Sequence, residues 1–273
     1  MLSKRSVAAS VLCALLATGA TACNGDKGGP AAASAPASAR PSASPVPTLA
    51  VDTLTADQIS EQAHAAMAAL ASVKVDGELT MDGSKLAVHL TSDKQGNCSG
   101  TVASPEVGQF ELRHSGSKTW LRADETTWKK AVAKEPGATA QDAAIAAELF
   151  KGRFITGGDT RAELAEAAMM CNLIKGLFAD DSDKGKEKIA KGSAGTTNGV
   201  KTFGLTVTTG DGENLTLHVA TEGKPYLIRM EQTQGSEPAA FDFSEFDKPF
   251  TVQEPAADQV VDFSVFEKKV KKA

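Results

Sequence analysis

Val75-Asp76-Gly77-Glu78-Leu79-Thr80-Met81 and Leu86-Ala87-Val88-His89-Leu90 each alternate apolar or small with mostly polar side chains, and Asp82-Gly83 stands between them. A period of two puts Val75, Leu79, Met81, Leu86, Val88 and Leu90 on one face of a strand pair. Asp-Gly between two alternating runs is a strong short-range hairpin signal, because glycine accepts the positive φ of a tight turn. The stretch therefore predicts antiparallel sheet with one apolar and one polar face.

Upstream, Thr55-Ala56-Asp57-Gln58 fits a capping box, with Thr55 as N-cap and Gln58 reaching back. The amphipathic helix it opens runs to about Ala71, with Ile59, Ala63, Ala66, Met67 and Leu70 on one side. Downstream, Gln95-Gly96-Asn97 turns the chain into a strand from Cys98 to Val102. A further pair, Val107 to His114 and Lys118 to Ala123, folds about Ser115-Gly116, and Trp128 closes this meander.

The middle is helical. Gln141 to Phe150 is Ala-rich, and Asp159 or Thr160 caps a second helix running to about Phe178. Leu164, Ala168, Cys171, Ile174 and Phe178 recur on its apolar side, which Met169 widens. Period two returns from Ile189: Phe203, Leu205, Val207, then Leu215, Leu217, Val219, then Tyr226, Ile228, Met230, and finally Phe241 and Phe243. Asn198-Gly199, Asp211-Gly212 and Gly223-Lys224-Pro225 separate these runs. The terminal Lys268, Lys269, Lys271 and Lys272 read as a solvated helix end.

The N-terminal segment is of another kind. Lys4 and Arg5 precede an apolar run, Val7 to Leu16, too short to span a bilayer. Small residues, Ala20-Thr21-Ala22, lead to Cys23. This is the pattern of a secretory signal, residues 1–22, and of a lipobox in which Cys23 is acylated after cleavage. Ordinary secretion is the alternative, since Ala20-Thr21-Ala22 is itself an A-x-A site. Residues 23–50 form a tether rich in Ala, Pro and Ser, expected to span roughly 30 Å as a coil. Residues 51–273 are left for the folded domain.

Of 273 residues, 41% are apolar, enough for a core, and the net charge is −5 with both signs interspersed. No basic block is interleaved with aromatics, so no nucleic-acid face is expected. Cys98 and Cys171 are the two thiols left after the signal and anchor, and in an oxidising compartment they are expected to be bonded rather than buried and free. A loop of about 70 residues closed in this way would stabilise the fold by roughly 4 kcal/mol on a chain-entropy account. His64, His89, His114 and His218 lie at no metal-ligand spacing, and neither a G-x-S-x-G elbow nor a phosphate loop is present. No catalytic residue, metal or cofactor is expected.

In its order of elements the chain resembles the LppX/LprG family of actinobacterial lipoproteins and, more loosely, the LolA-like carriers of lipids and lipoproteins. The resemblance is carried by Cys23 and its tether, by Thr55–Ala71 feeding Val73-Lys74-Val75-Asp76-Gly77, and by Gly223-Lys224-Pro225-Tyr226-Leu227-Ile228-Arg229, Phe241-Asp242-Phe243-Ser244-Glu245-Phe246-Asp247-Lys248-Pro249 and Glu254-Pro255. It covers roughly Thr55 to Ala257. It implies an α+β fold: a single strongly curved antiparallel β-sheet, a half-barrel, with helices packed on its concave side. It implies further an apolar cavity between sheet and helices. Leu79, Met81, Val88, Leu90, Met169, Ile174, Phe178, Leu205, Val207, Leu217 and Ile228 would line it. The alternative is that these residues fill an ordinary core.

The expected function is that of a monomeric lipoprotein held by acyl chains (palmitate among them) on the extracytoplasmic face of the cell membrane, binding or transporting a lipid or other apolar ligand. The alternative is a surface sensor that regulates a membrane-protein partner and has no cavity.

Overall fold

β1 (Ser72–Met81) and β2 (Ser84–Asp93) pair antiparallel, with Val75 opposite Leu90 and Leu79 opposite Leu86. Gly83 takes φ +76° in the turn between them. The computed structural model describes residues 46–81, 83–157, 164–165, 167–171, 187–210, 212–232 and 238–270. The predicted signal, Cys23 and the tether to residue 45 lie outside them.

Around this hairpin the sheet grows on both sides. β3 (Cys98–Ser104), β4 (Gly108–Ser115) and β5 (Lys118–Ala123) continue the first meander. β6 (Phe154–Thr156) is added beside β5. On the other side, β7 (Lys188–Thr197), β8 (Val200–Thr208), β9 (Asn214–Ala220), β10 (Leu227–Gln232) and β11 (Ala239–Ser244) form the second meander. The halves meet where β11 pairs with β1, with Val75 opposite Phe243. β12 (Val260–Asp262) closes the far edge in parallel with β6. The result is one open, curled sheet of twelve strands in the order β12-β6-β5-β4-β3-β2-β1-β11-β10-β9-β8-β7, antiparallel except at β12, in an α+β fold.

Helix α1 (Ala56–Ala68) starts at the predicted capping box: the Gln58 N–H donates to Thr55 Oγ1 at 3.2 Å and the Thr55 N–H to Gln58 Oε1 at 2.9 Å. Its buried stripe, Ile59, Ala63 and Met67, lies on the sheet's apolar face. Helix α3 (Ala140–Phe150) is capped reciprocally by Thr139 and Asp142.

Trp128 follows the first meander in a helix the sequence reading does not assign. It belongs to helix α2 (Glu125–Lys134), whose N-cap Asp124 accepts the Thr127 N–H at 2.6 Å. The β-branched and aromatic composition of Glu125-Thr126-Thr127-Trp128 hides a helix that its cap and its packing on α3 decide. Trp128 meets Phe110 and Phe150 at 5.2 Å between ring centres, and Phe150 meets Phe263 and Phe266 of helix α4 (Phe263–Val270). This aromatic cluster seals the β5-β6-β12 end. Lys268 and Lys269 fall in the last turn of α4, as the solvated helix end predicts.

Between β11 and β12 the chain crosses the outer face. The Asp247 N–H donates to the Ser72 carbonyl at 3.0 Å, Arg113 Nη1 to the Gln253 carbonyl at 2.9 Å, and Lys118 Nζ to Glu254 at 3.0 Å. The guanidinium carbons of Arg113 and Arg122 stand 4.6 and 4.5 Å from the centre of the Phe154 ring. Phe154 is thereby buried although it faces outward.

Candidate ligand-binding site

Strand register builds the inner face in rungs. In the first, Phe243, Val75, Leu90, Gly100, Leu112, Leu121 and Ile155 lie opposite one another across seven strands. In the second, Leu205, Leu217, Met230, Phe241, Gly77, Val88, Val102, Phe110 and Ala123 do the same. In the third, Gln232, Ala239, Leu79 and Leu86 follow. Gly77 is needed at its crossing, because a Cβ there would sit 2.6 Å from the Phe241 ring and 2.2 Å from the Ala240 carbonyl oxygen.

Burial falls along this series. Val75, Leu90 and Leu112 are fully buried under Met67, Leu70 and the disulfide. One rung on, Leu205, Val88, Phe241 and Ala123 stay buried while Val102, Phe110, Met230 and Leu217 are half-buried. In the third rung Leu79, Leu86 and Ala239 are all half-buried. Apolar side chains on the inner face are thus left partly open toward the end of the sheet that carries Gly83.

Cys98 and Cys171 are joined in a disulfide with Cα atoms 5.6 Å apart, and both are buried. The bond ties the helical residues 167–171 to the inner face of β3, as the cysteine arithmetic anticipates. His114 lies opposite Cys98 on that inner face, and its Nδ1 is 2.9 Å from Thr119 Oγ1.

The residues expected to line a cavity divide among several places. Leu79, Val88 and Leu90 join the cluster around the disulfide. Leu205 and Leu217 join a second cluster with Ile59, Ala63, Phe203 and Val219. Val207 and Ile228 are buried. Met169 is 65% exposed, so it stands at the surface of its helix and outside the packed interior. Ile174 and Phe178 lie outside the described residues, as does the side chain of Met81. Phe241 and Met230 are central to the inner face. The sequence shows them as ends of short runs, and only the β1–β11 and β10–β11 registers bring them to the middle.

The outer face is ionic. By register Arg122, Glu111, Thr101, His89, Asp76, Asp242, Arg229 and His218 form one rung across eight strands. Glu111 accepts from both Arg113 and Arg122, and Arg229 donates to Asp242 at 2.9 Å. Partial burial pulls the Asp76 carboxyl up, but hydrogen bonds from His89 and Lys74 outweigh it and hold the group below its ordinary value. The Asp242 carboxylate holds Arg229 firmly protonated. Among the described residues no three His, Cys, Asp or Glu side chains converge as a metal site. No helix among them is long and apolar enough to cross a membrane.

No sequence-family model matches the chain, and no curated protein matches it. Solved structures do. LprF from Mycobacterium bovis is 14% identical, with 74% of this chain and 97% of that one covered at a TM-score of 0.48. The lipoprotein LppX from Mycobacterium tuberculosis is 14% identical, with 71% and 96% covered at 0.44. A LolA superfamily protein from Nitrosomonas europaea is 12% identical, with 76% and 97% covered at 0.23.

Proposed function

We propose that this protein is a lipid-anchored extracytoplasmic binding protein that holds a lipid or other long apolar molecule against the inner face of its sheet. The observation that carries the reading is the graded burial of that face. Val75 and Leu90 are sealed, while Leu79, Leu86, Val102 and Met230 keep apolar surface in contact with water. An alkyl chain laid along them would remove that surface from water at about 25 cal/mol per Å². The ionic outer face offers an apolar chain no such gain. Binding of this kind needs no reacting group. The acylated Cys23 and the tether that follows it would hold the domain near a bilayer, since two or more acyl chains anchor stably where one does not. The last part of the predicted tether belongs to the domain, because Thr48 bridges Glu222 and Leu49 is buried beside Leu205.

Native mass spectrometry of the bacterially expressed protein, with titration of a fluorescent long-chain fatty acid, tests the binding. Co-purified lipid or saturable binding supports it; the absence of both refutes it. Mass spectrometry of the mature N-terminus tests the anchor separately: acyl mass on Cys23 supports it, and an unmodified thiol removes it.

A further inference from the structure

The two edges of the sheet are built differently. β12 at one edge is three residues long and runs directly into α4. A very short edge strand is a usual protection against pairing with other chains. β7 at the other edge is ten residues long, holds no proline, and eight of its ten residues are exposed. Among the described residues its backbone pairs with β8 alone. Along its outer side it therefore presents a row of main-chain donors and acceptors, which an extended segment satisfies as a whole. A register shift between Lys191 and Ala194 divides the row into two runs, Lys188–Lys191 and Ala194–Thr197.

Charge selects the occupant. β7 carries Lys188 and Lys191 and no acidic residue, on a chain whose net charge is −5. Lys188 lies on the outer face by register and makes no ion pair among the described residues; Lys191 reaches only the Val51 carbonyl, at 2.7 Å. Glu187 stands directly before the strand. A second copy would bring two more lysines to the same seam. Its other β7 side chains are Ile, Ala, Gly, Ser and Thr, which neutralise nothing. We infer that β7 is a docking edge for an extended, acidic peptide segment of a partner protein, which adds to the sheet as a thirteenth strand over Lys188–Lys191 and onward past the shift. This inference is independent of what the inner face binds.

The test uses the full chain and a synthetic decapeptide alternating glutamate with valine, read by hydrogen exchange and by affinity. Three results support it together. Peptide protects amides within 188–197 and not elsewhere in the sheet. N-methylation at alternate residues, which removes edge donors without changing charge, abolishes binding. Lys188→Glu weakens Kd by about two- to fivefold, the weight of one exposed ion pair. Equal binding of a lysine-valine peptide overturns the acidic partner. Protection confined to other strands overturns the edge. Protection that rises with protein concentration without peptide shows a second copy in the place assigned to the peptide. The N-methyl arm uses unaltered protein, so a folding defect in the variant cannot mask the answer.

Discussion

The carboxylate of Asp247 accepts the Ala71 N–H at 2.8 Å, joining residues 176 positions apart. Tyr226 Oη donates to the same side chain at 3.0 Å and Lys224 Nζ at 3.3 Å. The turn after β11 is thereby fastened to the junction of α1 and β1. The Ala71 hydrogen bond is the main reason the carboxyl lies below its ordinary value of 3.8; burial, the next largest effect, opposes it, and hydrogen bonds from Tyr226 and Lys224 add to the lowering.

A depressed folded value gives a definite sign. The stabilisation is complete above pH 3.8 and is lost as pH falls through the lower folded value, because the unfolded carboxyl then binds a proton more readily. Asp247→Asn keeps a side chain that tolerates the local φ of +57° and removes the charge. The variant is expected to melt lower at neutral pH, with the gap from the parent narrowing below pH 4 in thermal scans. A gap independent of pH would contradict the assignment.

Cys171→Ser should cost about 2–5 kcal/mol in urea unfolding, the usual range for loss of a native disulfide, here with a sequence separation of 73. Reductant should bring the parent to the same midpoint.

At Gly77 the inner face admits no side chain. Gly77→Val would drive a methyl group against Phe241 and the Ala240 carbonyl and is expected to destabilise by about 1–3 kcal/mol or more, seen as a lower denaturation midpoint.

Leu79→Asp places a charge on the half-open part of the inner face, whereas Glu78→Gln alters the opposite face one residue away. Fatty-acid affinity should fall by about tenfold or more in the first, for the loss of one large apolar contact, and hold in the second. Equal effects would place the ligand elsewhere.

The sheet was legible wherever alternation was strict. Val75 to Leu90 predicts β1, the turn and β2, and Thr55 with Gln58 predicts the start of α1 to the residue. β6 and β12 were not legible, because three-residue strands such as Phe154-Ile155-Thr156 carry too little period to detect. The helix holding Trp128 was not legible, because aromatic and β-branched residues favour strands on average, while one Asp cap and a neighbouring helix were enough to override that preference. For the site, residue identity was readable and juxtaposition was not. Nothing local in the sequence announces that Phe243 lies opposite Val75, since that pairing spans most of the chain.

That same β1–β11 ladder sets the order in which the molecule can be completed. Strands β1 to β5 pair with partners close in sequence, and so do β7 to β11, so each half can zip early at small entropic cost. The seam between them must wait until synthesis reaches residues 239–244. Until then the nascent chain holds β1 with one flank bare, and that interval is when a holding chaperone would matter most to its fate.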